Sequence, residues 1–330
     1  MSKVLVTGGT GFIGSALTAR LLKVGHQVRV MARRPSSQAA RLLESAGAEI
    51  VPGNLVEASN LPYALEGCDG LFHLAAKFDI GTRDRPGMYA TNVEGTESLF
   101  AASRAAGVSR IVHMSTVLAL GPTAGGPHPA PPPAPESLHG PPREHFTGSF
   151  EETKYLAQRI ALLHARQGAH VLIVCPGTVL GEEDPSQLGT ALRLNMRGQL
   201  PFLTAGSSHF SFVGLEDVVD GLLLVYERGR PGVIYPLVSE VLSLEELSRL
   251  AAEVAGVSPP RWDLPDRVAR LGLPLVNLLA RIFGGRRIYS REALAILACD
   301  WGYDAAISRE ELGWQCQSIA DVLKELAANL

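Results

Sequence analysis

The sequence predicts an α/β fold, a doubly wound parallel sheet with a smaller, mostly helical C-terminal region. Three observations predict it. An apolar run, Val4-Leu5-Val6, leads into closely spaced glycines and then into a helical repeat of apolar residues. Strand-like runs recur through the first half with helical segments between them, as parallel strands joined by crossovers do. After Pro176 the alternation loosens and helical periodicity dominates.

The first element is the most informative. Gly8, Gly11 and Gly14 follow the apolar run at a three-residue spacing, and Ile13, Leu17, Leu21 and Val24 then repeat at helical period. Strand, tight glycine turn and helix in that order build a pocket for a pyrophosphate. Gly8 allows the turn, Gly11 lets the backbone approach the phosphates, and Gly14 lets the helix pack on the strand. Thr10, Phe12 and Ile13 lie between these glycines and share the contact. The helix N-terminus offers free N–H groups and a partial positive charge. The alternative is a tight turn that binds nothing. A second strand at 26–32 argues against it, because it arrives at the right distance and ends at Arg33-Arg34. In a dinucleotide site this position meets the adenosine ribose. An acidic residue suits NAD, and an arginine accommodates the 2′-phosphate of NADP. No Asp or Glu follows until Glu44, so NADP is favoured over NAD. The plainer reading of Arg33 and Arg34 is a solvated pair.

Further strands are expected at 49–51, ending at Pro52-Gly53-Asn54-Leu55, and at 70–76, 110–115 and 170–175. A helix is expected at 89–106, stopped by Gly107. The stretch 122–142 is crowded with proline and glycine and reads as a surface loop. Beyond Pro176 a strand is expected at 210–214, and helices at 215–228, 242–255, 267–283, 289–298 and 319–328. The expected division is a cofactor-binding domain at 1–175, joined by a strand and helix from about 205–228, and a substrate-binding region at 176–330.

The chain has 330 residues, 46% hydrophobic and 19% charged, enough to bury a large core. Its net charge is −3, and no basic run or aromatic-basic interleaving suggests nucleic acid. The N-terminus runs straight into the first strand, so no signal peptide is expected. No apolar stretch approaches the roughly 20 residues of a membrane span. Cys68, Cys175, Cys299 and Cys316 are scattered without a CxxC pair. They read as reduced thiols of a cytoplasmic protein and not as a metal site.

Longer motifs add a resemblance. They are Thr7-Gly8-Gly9-Thr10-Gly11-Phe12-Ile13-Gly14, Gly53-Asn54-Leu55, His73-Leu74-Ala75-Ala76 and Asn92-Val93-Glu94-Gly95-Thr96. Ser115-Thr116 with Gly121, Pro176-Gly177-Thr178-Val179-Leu180-Gly181, Phe212 to Val219 and the tail Glu311-Leu312-Gly313-Trp314 continue them. Over essentially its whole length the chain resembles the extended short-chain dehydrogenase/reductase family, of NAD-dependent epimerase/dehydratase type. The dihydroflavonol-reductase-like and hopanoid-associated sugar-epimerase-like branches are the nearest. The resemblance implies a Rossmann-type cofactor domain with Asn54 and Leu55 beside the adenine. Leu74, Ala75 and Ala76 would lie under the ribose and nicotinamide, with Pro176, Thr178 and Val179 at the carboxamide. Thr116 aligns with the hydroxyl residue that polarises the substrate oxygen, and Ser115 is the fallback.

The family also places a Tyr four residues before a Lys. A phenol normally titrates near 10, and a lysine ammonium brings it into range as a general acid. Here Lys154 is in place, also as a ribose ligand, but Phe150 stands in the tyrosine position. Tyr155 adjoins Lys154 but is turned about 100° around the helix, which suits a packing role. His145 is a candidate substitute acid, and an exposed loop histidine is the plainer reading. Two functions follow. One is an NADP(H)-dependent oxidoreductase or epimerase acting on a small carbonyl or hydroxyl substrate. The other is a non-catalytic NADP(H)-binding protein, a redox sensor or assembly factor. The apolar face at 271–283 reads as core, as the lining of a greasy pocket or as a contact to a membrane surface. Arg193 and Arg197 read as solvated or as contacts to a substrate anion. The resemblance makes a homodimer through 89–106 and 150–166 plausible.

Overall fold

The computed structural model describes residues 2–81, 84–123, 146–264 and 290–330. His145, the helix expected at 267–283 and all but the start of the loop at 122–142 lie outside the described residues.

Seven parallel strands form the central sheet. They are β1 (Lys3–Thr7), β2 (Gln27–Ala32), β3 (Glu49–Pro52), β4 (Gly70–His73), β5 (Arg110–Met114), β6 (Val171–Pro176) and β10 (Ile234–Leu237). Their order is β10-β6-β5-β4-β1-β2-β3, and every neighbouring pair is parallel. This is the expected doubly wound α/β fold. The sheet reverses its winding between β1 and β4, which opens a crevice beyond the C-terminal ends of those strands. β6 is buried at every position, as a continuous apolar run covered on both faces must be.

Two groups of helices flank the sheet. α1 (Phe12–Lys23) packs with α8 (Leu215–Arg228), and α5 (Gly95–Ala105) packs with α6 (Ser149–Arg166). Val218, Val219, Leu222 and Val225 of α8 join the same core as β1, β4 and β6. β7 (Thr178–Leu180), β9 (His209–Gly214) and β11 (Glu240–Ser243) form a small second sheet. With α7 (Gln187–Met196) and α9 (Leu244–Val254), it builds a second core around Trp301, Phe212 and Leu247.

Several boundaries differ from expectation. The fourth strand stops at His73, because Leu74 and Ala75 leave the ladder to bond Thr7. The helix expected at 89–106 begins at Arg85 and is broken by a π turn, Ala90–Glu94, before α5. The helix expected from 242 starts at Leu244, since Ser243 ends a strand and closes a capping box with Glu246. The strand Ile234–Leu237 has no counterpart in the sequence reading. The tail docks as a unit: Trp314 is 2% exposed and its Nε1 donates to Asp217 O at 2.9 Å.

Candidate active site

The glycine turn is shaped as a cradle. Gly8 has φ +75°, and a Cβ there would fall 2.7 Å from Ala75 N, so the ends of β1 and β4 meet only because it is glycine. A Cβ on Gly14 would lie 2.1 Å from Gly8 O, so the helix packs against the turn. At Gly11 a Cβ would meet within 4 Å only the Gly8 carbonyl, at 3.2 Å, so its other side is open. No side chain caps α1, and its first-turn amides are left for a ligand. Thr10, Phe12 and Ile13 are half-buried around this turn.

The other residues expected to contact the coenzyme lie at the ends of β1, β2, β3, β4 and β6. Leu74 N donates to Thr7 O at 3.1 Å, Ala75 N donates to Thr7 Oγ1 at 3.4 Å, and Ala76 is exposed. Arg33 and Arg34 are exposed just past the end of β2. Asn54 Oδ1 accepts from Val56 N at 3.3 Å, and Leu55 is buried. Pro176, Thr178 and Val179 line the far side, where Gly177 N donates to Leu237 O at 3.0 Å.

From the glycine turn a cavity of about 660 Å³ runs past Lys154 and Phe150 to Trp301. Most of its wall is apolar. α6 carries both Phe150 and Lys154 to it. Lys154 is 5% exposed, and its Nζ donates to Met114 O at 2.7 Å. Burial pushes this ammonium down to about 8. Thr116 is half-buried in the wall, and its Oγ1 accepts from Leu118 N at 3.3 Å, leaving the O–H to donate elsewhere. Ser115 Oγ donates to Gln158 Oε1 at 2.6 Å. Cys175 Sγ bonds the same oxygen at 3.2 Å, and burial pushes its thiol up to about 12, so it stays protonated.

Behind this wall lies a neutral imidazole pair. His73 bonds Thr7 Oγ1 through Nδ1 at 2.8 Å and Thr96 Oγ1 through Nε2 at 3.0 Å. Burial, reinforced by Lys154, pushes His73 down to about 3 and His113 well below its usual value.

The cavity thus brings together the glycine turn, Leu74, Ala76, Ser115, Thr116, Lys154, Pro176, Thr178 and Val179. Arg33, Arg34, Asn54 and Leu55 stand outside it, toward the ends of β2 and β3. Arg193 and Arg197 are elsewhere too. They line a separate cleft of about 60 Å³, and Arg193 donates to Asp184 O at 2.9 Å. Tyr155 is not in the cavity wall and packs on the Phe146 ring.

Sequence reasoning missed much of the rest of the wall, including Phe78, Ile80, Asn195, Thr204, Leu247 and Trp301. It also missed Glu292. That carboxylate accepts from Phe150 N at 3.1 Å and from Gly81 N at 2.8 Å, tying the start of α6 to the loop after β4. Asn92 was legible as a motif residue. The π turn places its Nδ2 3.1 Å from Thr153 Oγ1, where it steadies α6.

This fold and site define a nicotinamide-dinucleotide-dependent enzyme of reductase, epimerase or dehydratase type. Residues 4–237 match the NAD dependent epimerase/dehydratase family, and the chain belongs to that family. It is 32% identical to "Sterol demethylase protein B" of Methylococcus capsulatus, over 94% of this chain and 92% of that one. It is 28% identical to "3 beta-hydroxysteroid dehydrogenase/Delta 5-->4-isomerase" of Mycobacterium tuberculosis, over 96% and 86%. The crystal structure of gox2253 superposes with a TM-score of 0.81 at 31% identity, covering 99% and 97%. No helix among the described residues is long and apolar enough to cross a membrane.

Proposed function

We propose that the chain is an NADP(H)-dependent oxidoreductase acting on the carbonyl or hydroxyl group of a small apolar molecule. The observation that carries this reading is the cavity: one continuous space joins the glycine turn and Lys154 to an apolar wall. Two relatives whose names contain sterol or steroid support the apolar substrate. Arg33 and Arg34, exposed past β2 with no acidic residue there, support NADP over NAD. Residues 1–175 with α8 and β10 form the cofactor domain on this reading, β10 taking the place of the strand expected from about 205, because β9 pairs in the second sheet; the remainder of 176–330 closes the substrate space. A cytoplasmic location and a homodimer through α5 and α6 belong to the same reading.

The cradle fits the coenzyme. Gly11 is open to a pyrophosphate, and the first-turn amides of α1 would bond it. When bound, the coenzyme gives a hydride to the carbonyl carbon or takes one from the carbinol carbon. The protein's task is the proton on oxygen. Thr116 donates a hydrogen bond to that oxygen and holds it beside Lys154. Near neutral pH Lys154 is protonated and, at about 8, close enough to neutrality to give up its proton through Thr116 or water. Met114 O takes one of its three N–H groups and fixes its direction. Phe150 excludes water where a phenol would otherwise stand. The alternative, a non-catalytic coenzyme binder, draws on Phe150 alone. A buried lysine held in the cavity weighs against it.

Calorimetric titration of the full chain tests the coenzyme. NADPH is expected to bind at least about 10-fold tighter than NADH, and the Arg33→Ala/Arg34→Ala pair to remove that difference. NADPH oxidation with a steroid ketone tests the reaction. Failure to bind either coenzyme overturns the whole reading.

A further inference from the structure

The cavity wall holds a polar side chain that is reachable and bonds nothing among the described residues. Most of the other polar side chains are committed. Ser115 is held by Gln158, Lys154 by Met114 O, and Asn195 by Ser248 O at 2.8 Å. Ser186 Oγ donates to Asp184 Oδ2 at 2.7 Å, and Ser211 Oγ to Trp301 O at 2.8 Å. Thr204, on β8 (Leu203–Thr204), keeps an unpartnered Oγ1, but that atom is sealed inside the protein. Gln187 differs. It lines the cavity and is half-buried. No described residue hydrogen-bonds its side-chain amide, and neither amide atom is among the sealed ones. Gln187, Ala191 and Asn195 stand four residues apart on one ridge of α7, and all three line the cavity. α7 packs in the second core, whereas Thr116 follows β5 and Lys154 sits on α6, both in the first.

We propose that Gln187 selects the substrate by hydrogen-bonding a neutral oxygen function, a hydroxyl or a carbonyl, other than the one that reacts. The proposal rests on reading the cavity as the site of an apolar alcohol or ketone, and it names what else that molecule carries. An amide offers two N–H donors and one carbonyl acceptor, so it bonds either group. The charges in the wall argue for a neutral partner. Among the described residues that line the cavity, Lys154 is the only cation, and it serves the reacting oxygen. Asp79 and Asp184 line it as acids. A carboxylate, sulfate or phosphate on the substrate would meet two like charges and no free cation. The substrate class is therefore an apolar molecule with two oxygen functions and no anionic group. One oxygen reacts at Thr116 and Lys154, and the other is held unchanged by α7.

Gln187→Met gives a clean test. Methionine matches glutamine in length and helix propensity, so the variant should melt as the wild type does. The probes are dihydrotestosterone, a steroid ketone with a hydroxyl at the opposite end of its rings, the same ketone without that hydroxyl, and the sulfate ester of the hydroxyl. Each is titrated calorimetrically into the full chain with NADP⁺ present. The wild type is expected to bind the hydroxy ketone about 10-fold tighter than the deoxy ketone, and Gln187→Met to cut that preference to about 3-fold or less. Binding of the deoxy ketone should not change. The sulfate ester should bind the wild type at least about 10-fold more weakly than the hydroxy ketone. Equal affinity for the two ketones in the wild type means that Gln187 bonds only water, and it overturns the proposal. So does a preference that Gln187→Met leaves intact, or a variant that weakens both ketones alike. A sulfate ester bound as tightly as the hydroxy ketone overturns the neutral class. If NADP⁺ binds and no probe does, the apolar-substrate reading itself fails, and the role of Gln187 falls with it.

Discussion

Phe78 and Phe150 meet edge to face, with ring centroids 4.8 Å apart and planes at 88°. Phe78 comes from the loop after β4 and is 54% exposed, whereas Phe150 is 6% exposed on the first turn of α6. Such a pair is worth about 0.5–1.5 kcal/mol beyond its buried area. Position 150 therefore contributes an aromatic wall in place of an acid. Phe150→Tyr restores a hydroxyl one helical turn before Lys154. Ketone reduction followed by NADPH oxidation should rise about 10²-fold in kcat. An unchanged kcat would show that Thr116 and Lys154 already meet the proton demand.

Lys154 should set the pH dependence. Its ammonium sits at about 8, lowered from 10.5 by burial. If it is the proton source, ketone reduction is constant below that value and falls as pH rises through it. The same shift has a stability sign. Because the folded state releases this proton more readily than the unfolded chain, burying the lysine destabilises the fold below about 8, and the cost fades as pH rises toward 10.5. Lys154→Met should therefore melt no lower than the wild type at pH 7 and turn over at least about 10²-fold more slowly. A variant that simply unfolds would contradict this.

The buried imidazoles predict acid sensitivity. His73 is held near 3 and His113 is also depressed, against an unfolded value of 6.5. The unfolded chain thus binds these protons first. Stability is full above about pH 6.5 and is lost as pH falls toward 3. Neither ring nitrogen of His113 has a partner among the described residues. His113→Leu should flatten the slope of urea-unfolding free energy against pH in this window and raise stability at pH 5. An unchanged slope would place the acid sensitivity elsewhere.

Glu292 reaches across 142 and 211 residues to Phe150 N and Gly81 N. It acts as the missing cap of α6, whose own N-cap, Gly148, has no side chain. Glu292→Ala should cost about 1–2 kcal/mol, the scale of a lost cap. It should also raise KM for an apolar ketone more than it lowers kcat, because it frees both rings at the cavity wall. An equal loss in both constants at full stability would give Glu292 a role in the chemistry instead.

The parts of the site carried by short sequence intervals were legible. The glycine turn spans eight residues from Thr7 to Gly14, and Lys154 follows Phe150 by one helical turn. Ile234–Leu237 was not legible, because four residues with a central proline carry no periodicity and owe their pairing to β6. The π turn at Ala90–Glu94 was hidden too, since a single wide turn scarcely alters a helical pattern. Glu292 and Asn195 looked like ordinary surface or loop residues. Their partners lie 53 to 211 residues away, and only the tertiary fold joins them.

β6 has β5 on one side and β10 on the other, and β10 is pinned in turn by Ser308 Oγ, which donates to Pro236 O at 2.5 Å. A chain cut after residue 175 would leave a fully apolar strand as a bare edge, an invitation to pair with other molecules. The half proposed to hold the coenzyme is therefore not a detachable cassette. Exchanging it between relatives would require carrying 215–237 along with it, so that specificity for coenzyme and for substrate travels on interleaved stretches of one polypeptide.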